Sequence, residues 1–221
     1  MSKTDGNTGA SANCNTSTPD TLFPASIYLA SASPRRHELL TQMGIAHEVL
    51  HVPSPPGEDE PRLAGESPVD YVKRTARDKA ERAWAWVQSQ QLKPQPILCA
   101  DTTVALDDDV LGKPTDLKHA AAMLRQLSGR KHQVYSALTL FDAQGQLHEA
   151  LSCTDVSFKT LSEAEIAWYC ASQEPLGKAG AYGIQGKAAL FVTHLSGNHS
   201  GVVGLPLHET YQLLAQCQRQ P

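Results

Sequence analysis

Residues 133–158 read QVYSALTLFDAQGQLHEALSCTDVSF, and the fold class turns on them. Gln133 to Phe141 and His148 to Phe158 alternate polar and apolar side chains well enough to form two strands of a hairpin, with the turn at Gln144-Gly145. A purely parallel sheet has no use for such a hairpin, because its strands are joined by long crossovers. Elsewhere, short apolar runs stand singly before helical patterns. Ile27-Tyr28-Leu29-Ala30 reads as a buried strand. Ser33 then offers an N-cap with Pro34 at the first helical position, Leu39, Leu40 and Met43 form the apolar side, and Gly44 ends the helix.

A second strand is expected from about His47 to Val52, ahead of a loop rich in proline and acid from Pro53 to Gly65. Ser67, Pro68 and Asp70 start a helix whose apolar stripe runs Val69, Val72, Ala76, Ala80, Ala83 and Val87. Ile97 to Ala100 is an apolar strand, with strands and a turn around Val104 to Leu111. Asp116 opens a helix through Leu127, and Ser162 with Glu165 forms a capping box for another. Ala189 to Leu195 and Ser200 to Val203 read as a second hairpin, and a last helix runs from Pro206 to about Cys217. Hairpins mixed with single strands and helices predict an α/β fold: a mixed central sheet flanked by helices, with a cleft between two lobes.

Residues 1–25 are rich in Ser, Thr, Asn and Gly and read as a flexible tail. Residues 26–217 form one expected domain, and 218–221 a short C-terminal tail. The chain has 221 residues, 41% of them hydrophobic and 19% charged, with a net charge of −4. That balance argues against binding nucleic acid through bulk charge. No run approaches a transmembrane span of about 20 apolar residues, and the N-terminal stretch lacks the apolar segment of a secretory signal. Five cysteines without a CxxC pair point to a reducing compartment rather than to disulfides or zinc.

Four segments could carry chemistry. In Ser31-Ala32-Ser33-Pro34-Arg35-Arg36, the two arginines fall in a first helical turn, where positive charge opposes the helix dipole unless an anion binds. An ordinary capped helix with exposed arginines is the alternative. In Ala100-Asp101-Thr102-Thr103, a carboxylate follows a buried strand, where it could bind a divalent metal, take a proton from water, or merely bond its own turn. Lys113, held between Gly112 and Pro114, and Lys79, at the margin of its helix stripe, either snorkel or reach into a site. Lys178 to Gly186 packs three glycines with Lys178, Tyr182 and Gln185, and Gln185 has the donor and acceptor needed to read a base edge. The acidic run Glu58-Asp59-Glu60 is either a solvated loop or a source of metal ligands. No GxGxxG, P-loop, GxSxG or HExxH pattern is present.

Taken in order, YLASASPRRHELL, GESPVDYVKRTARDKA, CADTTVALDDDVLGKP, LSGRKHQVYSALTL, EPLGKAGAYGIQGKAALFV and GVVGLPLHETYQLL resemble the Maf family of nucleoside triphosphate pyrophosphatases. The KAGAYGIQG loop is similar to the branch that hydrolyses dTTP and UTP, rather than the 7-methyl-GTP branch. The resemblance implies an inosine-triphosphatase-like (Maf/Ham1) architecture and a cytoplasmic, house-cleaning hydrolase that is commonly a homodimer. Its substrate would be a nucleoside triphosphate, with modified pyrimidine nucleotides as further candidates, cleaved to the monophosphate and pyrophosphate. It also implies a divalent cation (Mg²⁺, Mn²⁺ or Co²⁺). By the same resemblance, Asp101 is the proton acceptor and Glu60 an acidic position near the metal; the chemistry of a carboxylate lets Asp101 help bind that metal as well. Arg35, Thr102 and Gln185 match positions tied to base choice, and Ser31, Arg36, Lys79 and Lys113 match positions around the triphosphate. Gly177 departs from the family, where related sequences often carry Asp. A 7-methyl-GTP-type pyrophosphatase is the alternative within the enzyme class, and a non-catalytic nucleotide-binding regulator linked to septum formation is the alternative from another functional class.

Overall fold

The computed structural model describes residues 23–53 and 61–218. Most of the expected N-terminal tail, Glu58 to Glu60 of the acidic loop and the last three residues of the expected C-terminal tail lie outside the described residues. Fifteen elements follow in chain order. They are strand β1 (Ile27–Leu29), helix α1 (Pro34–Gln42), β2 (His47–Val49), α2 (Pro68–Ser89), β3 (Ile97–Leu106), β4 (Asp109–Leu111), α3 (Leu117–Leu127), β5 (Lys131–Phe141), β6 (Leu147–Phe158), α4 (Glu163–Ala171), two 3₁₀ turns (Ala179–Ala181 and Lys187–Phe191), β7 (Val192–Ser196), α5 (His199–Val203) and α6 (Leu207–Gln218).

The seven strands form one sheet in the order β2-β1-β3-β5-β6-β7, with β4 paired to β3 off that path. β1 runs parallel to β2 and β3, whereas along β3, β5, β6 and β7 each strand is antiparallel to its neighbour. The sheet is therefore mixed and flanked by helices, as the hairpin at Gln144-Gly145 predicts. Asp142 makes that turn tight: its Oδ1 accepts from the N–H groups of Gln144 at 2.9 Å and Gln146 at 2.8 Å.

α2 covers one face of the sheet. Ala76, Ala80 and Ala83 are fully buried along it, so its backbone can lie close against β3 and β5. Val72 and Val87 are buried on the same stripe, each contributing about 1.5–3 kcal/mol. Ser67 accepts from the Asp70 N–H at 3.1 Å and caps the helix. The opposite face carries the larger core, which joins Leu98, Ala100 and Val104 of β3 to Leu124 and Leu127 of α3, Tyr169 of α4 and Leu213 and Leu214 of α6. Strand alternation sends Ile97 and Cys99 to the α2 side and Leu98 and Ala100 to this core. No helix among the described residues is long and apolar enough to cross a membrane.

Three expectations are corrected. Ser200 to Val203 is not the arm of a second hairpin but part of helix α5, because Asn198 Oδ1 caps the Gly201 N–H at 3.2 Å. The Ser33 side chain makes no cap at α1, although Pro34 does sit at the first position. Its own N–H instead donates to Ser31 Oγ at 3.2 Å. The strand after His47 ends at Val49, since β1, its parallel partner, ends opposite it at Leu29.

Candidate active site

Asp101 does not follow the end of a strand. β3 runs unbroken from Ile97 to Leu106, and Asp101 is paired with Ala137 of β5 in mid-strand. The opening arises on the other edge of β3. There the pairing with β1 stops at Leu98, and the pairing with β4 begins only at Val104. Among the described residues that edge has no strand neighbour from Cys99 to Thr103, and a cleft of about 430 Å³ opens against it. The cleft thus opens beyond the carboxyl end of β1, where Ala30 to Ser33 line it, and α/β sheets characteristically take ligands outside such strand ends.

Because the edge is open, the cleft is reached from both faces of β3. Asp101 points to the α2 side, where one oxygen is ion-paired with Lys79 and the other accepts from the Thr75 hydroxyl at 2.8 Å. Thr75 and Lys79 are four residues apart on α2, so they stack on one face of the helix and meet one carboxylate. Thr75 is 2% exposed. Its hydroxyl also lies 3.1 Å from the Val72 carbonyl, but the contact to the carboxylate is shorter and charge-assisted. Thr75 was not legible as a site residue, because a threonine between Val72 and Ala76 reads as part of an apolar stripe.

Thr102 points to the other face. Its hydroxyl lies 2.8 Å from Ser136 Oγ, which in turn donates to the Gly201 carbonyl at 2.7 Å. Arg36 spans this side: Nε donates to the Gly204 carbonyl at 2.8 Å, Nη1 to Ser31 Oγ at 3.0 Å and Nη2 to Thr102 at 3.5 Å. Burial pulls the Arg36 pKa below its ordinary value, and the Asp101 charge opposes that pull. Gly204 adopts φ +130°, a region side chains avoid, and a Cβ there would lie 3.7 Å from Arg36 Nε. Arg35 donates more weakly, to the Val203 carbonyl at 3.4 Å.

The third wall is the segment from Gly177 to Tyr182, tied to the Lys113 loop by the Gly180 N–H donating to the Gly112 carbonyl at 3.1 Å. Lys178 donates to the Glu174 carbonyl, and its pKa is lowered by burial and then by the neighbouring charge of Arg35. Tyr182 pins the segment to the sheet through a 2.8 Å contact between its hydroxyl and Nε2 of His132, a fully buried residue on β5.

His132 gives the protein a pH-dependent stability. Burial pushes its pKa down to about 4, the Asp155 charge opposing, and its Nδ1 has no hydrogen-bond partner. As pH falls through the ordinary value near 6.5, the unfolded chain takes up a proton that the folded chain refuses until about 4. Stability present above pH 6.5 is therefore lost on the way down to pH 4, by about 3 kcal/mol at about 1.4 kcal/mol per pH unit. Denaturant unfolding at pH 7 and pH 4 should show His132→Phe with a correspondingly smaller drop than wild type. Equal drops would show that His132 is not the group responsible.

Of the residues singled out in the sequence, Ser31, Arg35, Arg36, Lys79, Asp101, Thr102, Lys113 and Lys178 all line this one cleft. Gln185 does not; it is exposed and lies outside the lining. Glu60 lies outside the described residues. Arg82 joins the lining, so among the described residues six Lys and Arg residues line the cleft with one acidic residue, Asp101. Among the described residues no three His, Cys, Asp or Glu side chains group as a metal site.

A mixed α/β sheet whose broken edge holds, among the described residues, one carboxylate and six cations defines a protein suited to receive a polyanion. The chain belongs to the Maf-like protein family, whose sequence signature matches residues 26–217. It is 59% identical over 191 residues to a dTTP/UTP pyrophosphatase of Bordetella pertussis, covering 86% of this chain and 92% of that protein. A dTTP/UTP pyrophosphatase of Chromobacterium violaceum is 51% identical over 190 residues, with 86% and 93% covered. Among solved structures, a HAM1 protein from Coxiella burnetii aligns at 14% identity and TM-score 0.44, over 86% of this chain and 98% of that one.

Proposed function

We propose that this protein is a nucleoside triphosphate pyrophosphatase that cleaves dTTP and UTP to the nucleoside monophosphate and pyrophosphate. The observation that carries the reading is the placement of Asp101 among Arg35, Arg36, Lys79, Arg82, Lys113 and Lys178 in one cleft. Phosphoryl transfer asks a protein mainly for positioning and charge neutralisation. Arg36, Lys79 and Lys113 supply charge at the phosphates, and the fork of Arg36 suits two phosphate oxygens at once. Asp101 takes a proton from water as the water oxygen bonds to the α-phosphorus and the bond to the bridging oxygen breaks, releasing pyrophosphate. Thr75 and Lys79 fix the carboxylate plane for that transfer, and a carboxylate keeps further lone pairs for the water.

The donor set fits a hard cation, because Mg²⁺ is usually held by one or two carboxylates together with substrate phosphates and water. Asp101 would hold it from the protein side, and Glu60 remains a proposed second carboxylate. When bound, such a cation neutralises phosphate charge and lowers the pKa of its water. Arg35 and Thr102 are proposed to bear on base choice from within the cleft, whereas Gln185 would have to turn inward from its exposed position to do so. Residues 26–217 are proposed as one catalytic domain, a reading supported by the extent of the family match. A cytoplasmic setting and a homodimer belong to the same proposal and rest on the family relationship.

Parallel turnover of dTTP, UTP, CTP and 7-methyl-GTP tests the function. The expected result is a kcat/KM for dTTP and UTP at least about tenfold above that for the methylated purine, a difference of about 1.4 kcal/mol in transition-state binding. Comparable rates on 7-methyl-GTP would overturn the base preference. Binding of dTTP in a calorimeter without pyrophosphate release would overturn the enzyme reading itself.

A further inference from the structure

We infer that Glu174 is a positioning residue that holds the segment from Lys178 to Lys187 against the cleft, and so sets where Lys178 stands relative to bound nucleotide. The inference rests on the pyrophosphatase reading for its kinetic consequences, but its geometry stands alone. Glu174 lies just beyond the C-terminus of α4, outside the cleft lining. One carboxylate oxygen accepts from the Tyr169 hydroxyl at 3.2 Å, and the other accepts from the Lys187 N–H at 3.1 Å. Its backbone carbonyl accepts from the Lys178 ammonium. The Tyr169 oxygen itself accepts from the Gly183 N–H at 3.4 Å. One residue thus reaches the beginning of the segment directly, its middle through Tyr169, and its end directly.

Two further observations support this. Tyr169 is fully buried, and burial followed by the Glu174 charge raises its pKa, which keeps the hydroxyl protonated as a donor. A Cβ on Gly186 would run into the Glu174 carboxylate, and one on Gly183 would come within 3.0 Å of the Lys178 stem. The glycines that suggested a ligand loop are therefore also the places where this segment closes on Glu174 and on Lys178. Losing a buried hydrogen bond while leaving its partner unsatisfied is costly. Removing the Glu174 side chain leaves the buried Tyr169 hydroxyl short of an acceptor and unties the exposed Lys187 N–H, so the segment loosens.

The test compares wild type with Glu174→Ala, Glu174→Gln, Gly186→Ala and the Glu174→Ala/Gly186→Ala double variant. Glu165→Ala serves as a control that weakens the cap of α4 without touching the segment. Backbone hydrogen exchange over residues 177–187 and steady-state kinetics on dTTP are both read. Glu174→Ala is expected to speed exchange and raise KM by about tenfold with kcat within about threefold, the loss of roughly one buried hydrogen bond. Glu174→Gln keeps an acceptor for the Lys187 N–H, and the Tyr169 hydroxyl can turn to accept from the amide nitrogen, so this variant should recover most of both effects. Gly186→Ala should mimic Glu174→Ala alone yet add little to it, because the collision needs the carboxylate. Unchanged exchange and KM in Glu174→Ala, or the same changes in Glu165→Ala, would overturn the inference. If wild type releases no pyrophosphate from dTTP, the proposed function fails, and the exchange comparison still decides the role of Glu174.

Discussion

Asp101→Asn is expected to lower pyrophosphate release from dTTP by about 10²–10⁴-fold, the range for loss of a positioned general base. The substitution keeps the side-chain shape and removes charge and basicity. Its amide oxygen can stay toward Lys79, which leaves the amide NH₂ facing Thr75. The Thr75 hydroxyl can then accept that NH₂ and redirect its own proton to the Val72 carbonyl, 3.1 Å away. Lys79 has 36% of its side chain exposed and keeps its hydration when the charge opposite is lost. The fold should therefore survive, with unfolding in denaturant close to wild type and dTTP still bound in a calorimeter. Near wild-type turnover at saturating Mg²⁺ would remove Asp101 from the centre of the mechanism.

Arg36→Ala should be nearly as damaging, and damaging in two ways. Removing one preorganised donor at a developing negative charge costs about 10²–10³-fold, and kcat/KM for dTTP should fall by that much. Arg36 also bridges the Gly204 carbonyl, Ser31 and Thr102. Its loss leaves the Gly204 carbonyl with a long 3.5 Å contact from Thr102, at about 1–3 kcal/mol, while Ser31 keeps the Ser33 N–H and Thr102 keeps Ser136. At about 2–4 °C per kcal/mol in a chain of this size, Tm should drop by several degrees. Arg36→Lys restores the charge but not the fork, because a lysine is a point charge that cannot serve three separated partners. Most of the kinetic loss should therefore persist. Arg125→Ala is the contrast: its ion pair with Glu163 is exposed on both sides, so Tm and activity should scarcely move. Full kinetic rescue by lysine would show that charge alone explains Arg36.

Much of this architecture was legible because it rests on local rules. The Gln144-Gly145 hairpin, the Ser67 and Ser162 caps and the Pro34 start of α1 each follow from residues within a few positions of one another. Where two local rules competed, the outcome was less clear. Gly201-Val202-Val203 favours a strand by composition, yet the capping oxygen of Asn198 turns the segment into α5. Asp101 was found for a reason that did not hold, since the cleft opens where a neighbouring strand stops and not where its own strand ends. Thr75 and Glu174 were missed because their partners come from the tertiary fold: Thr75 meets a carboxylate 26 residues on, and Glu174 meets the Lys187 N–H 13 residues on. No periodicity marks either one. Gln185 shows the converse, a side chain with the right chemistry that the fold turns outward.

The open edge of β3 has a consequence for solubility as well as for chemistry. From Cys99 to Thr103 it leaves about 17 Å of strand without a strand neighbour among the described residues, at about 3.3 Å per residue, which is the length of an ordinary strand. An edge of that length invites pairing with a strand from another molecule, and proteins commonly guard such edges with lysine, other charges or a covering loop. Here the guards are the cations of the cleft itself, with the Ser31 to Ser33 turn and Gly204 as cover. The charges proposed to receive phosphate would also keep foreign strands away, so one set of side chains would serve both solubility and substrate binding.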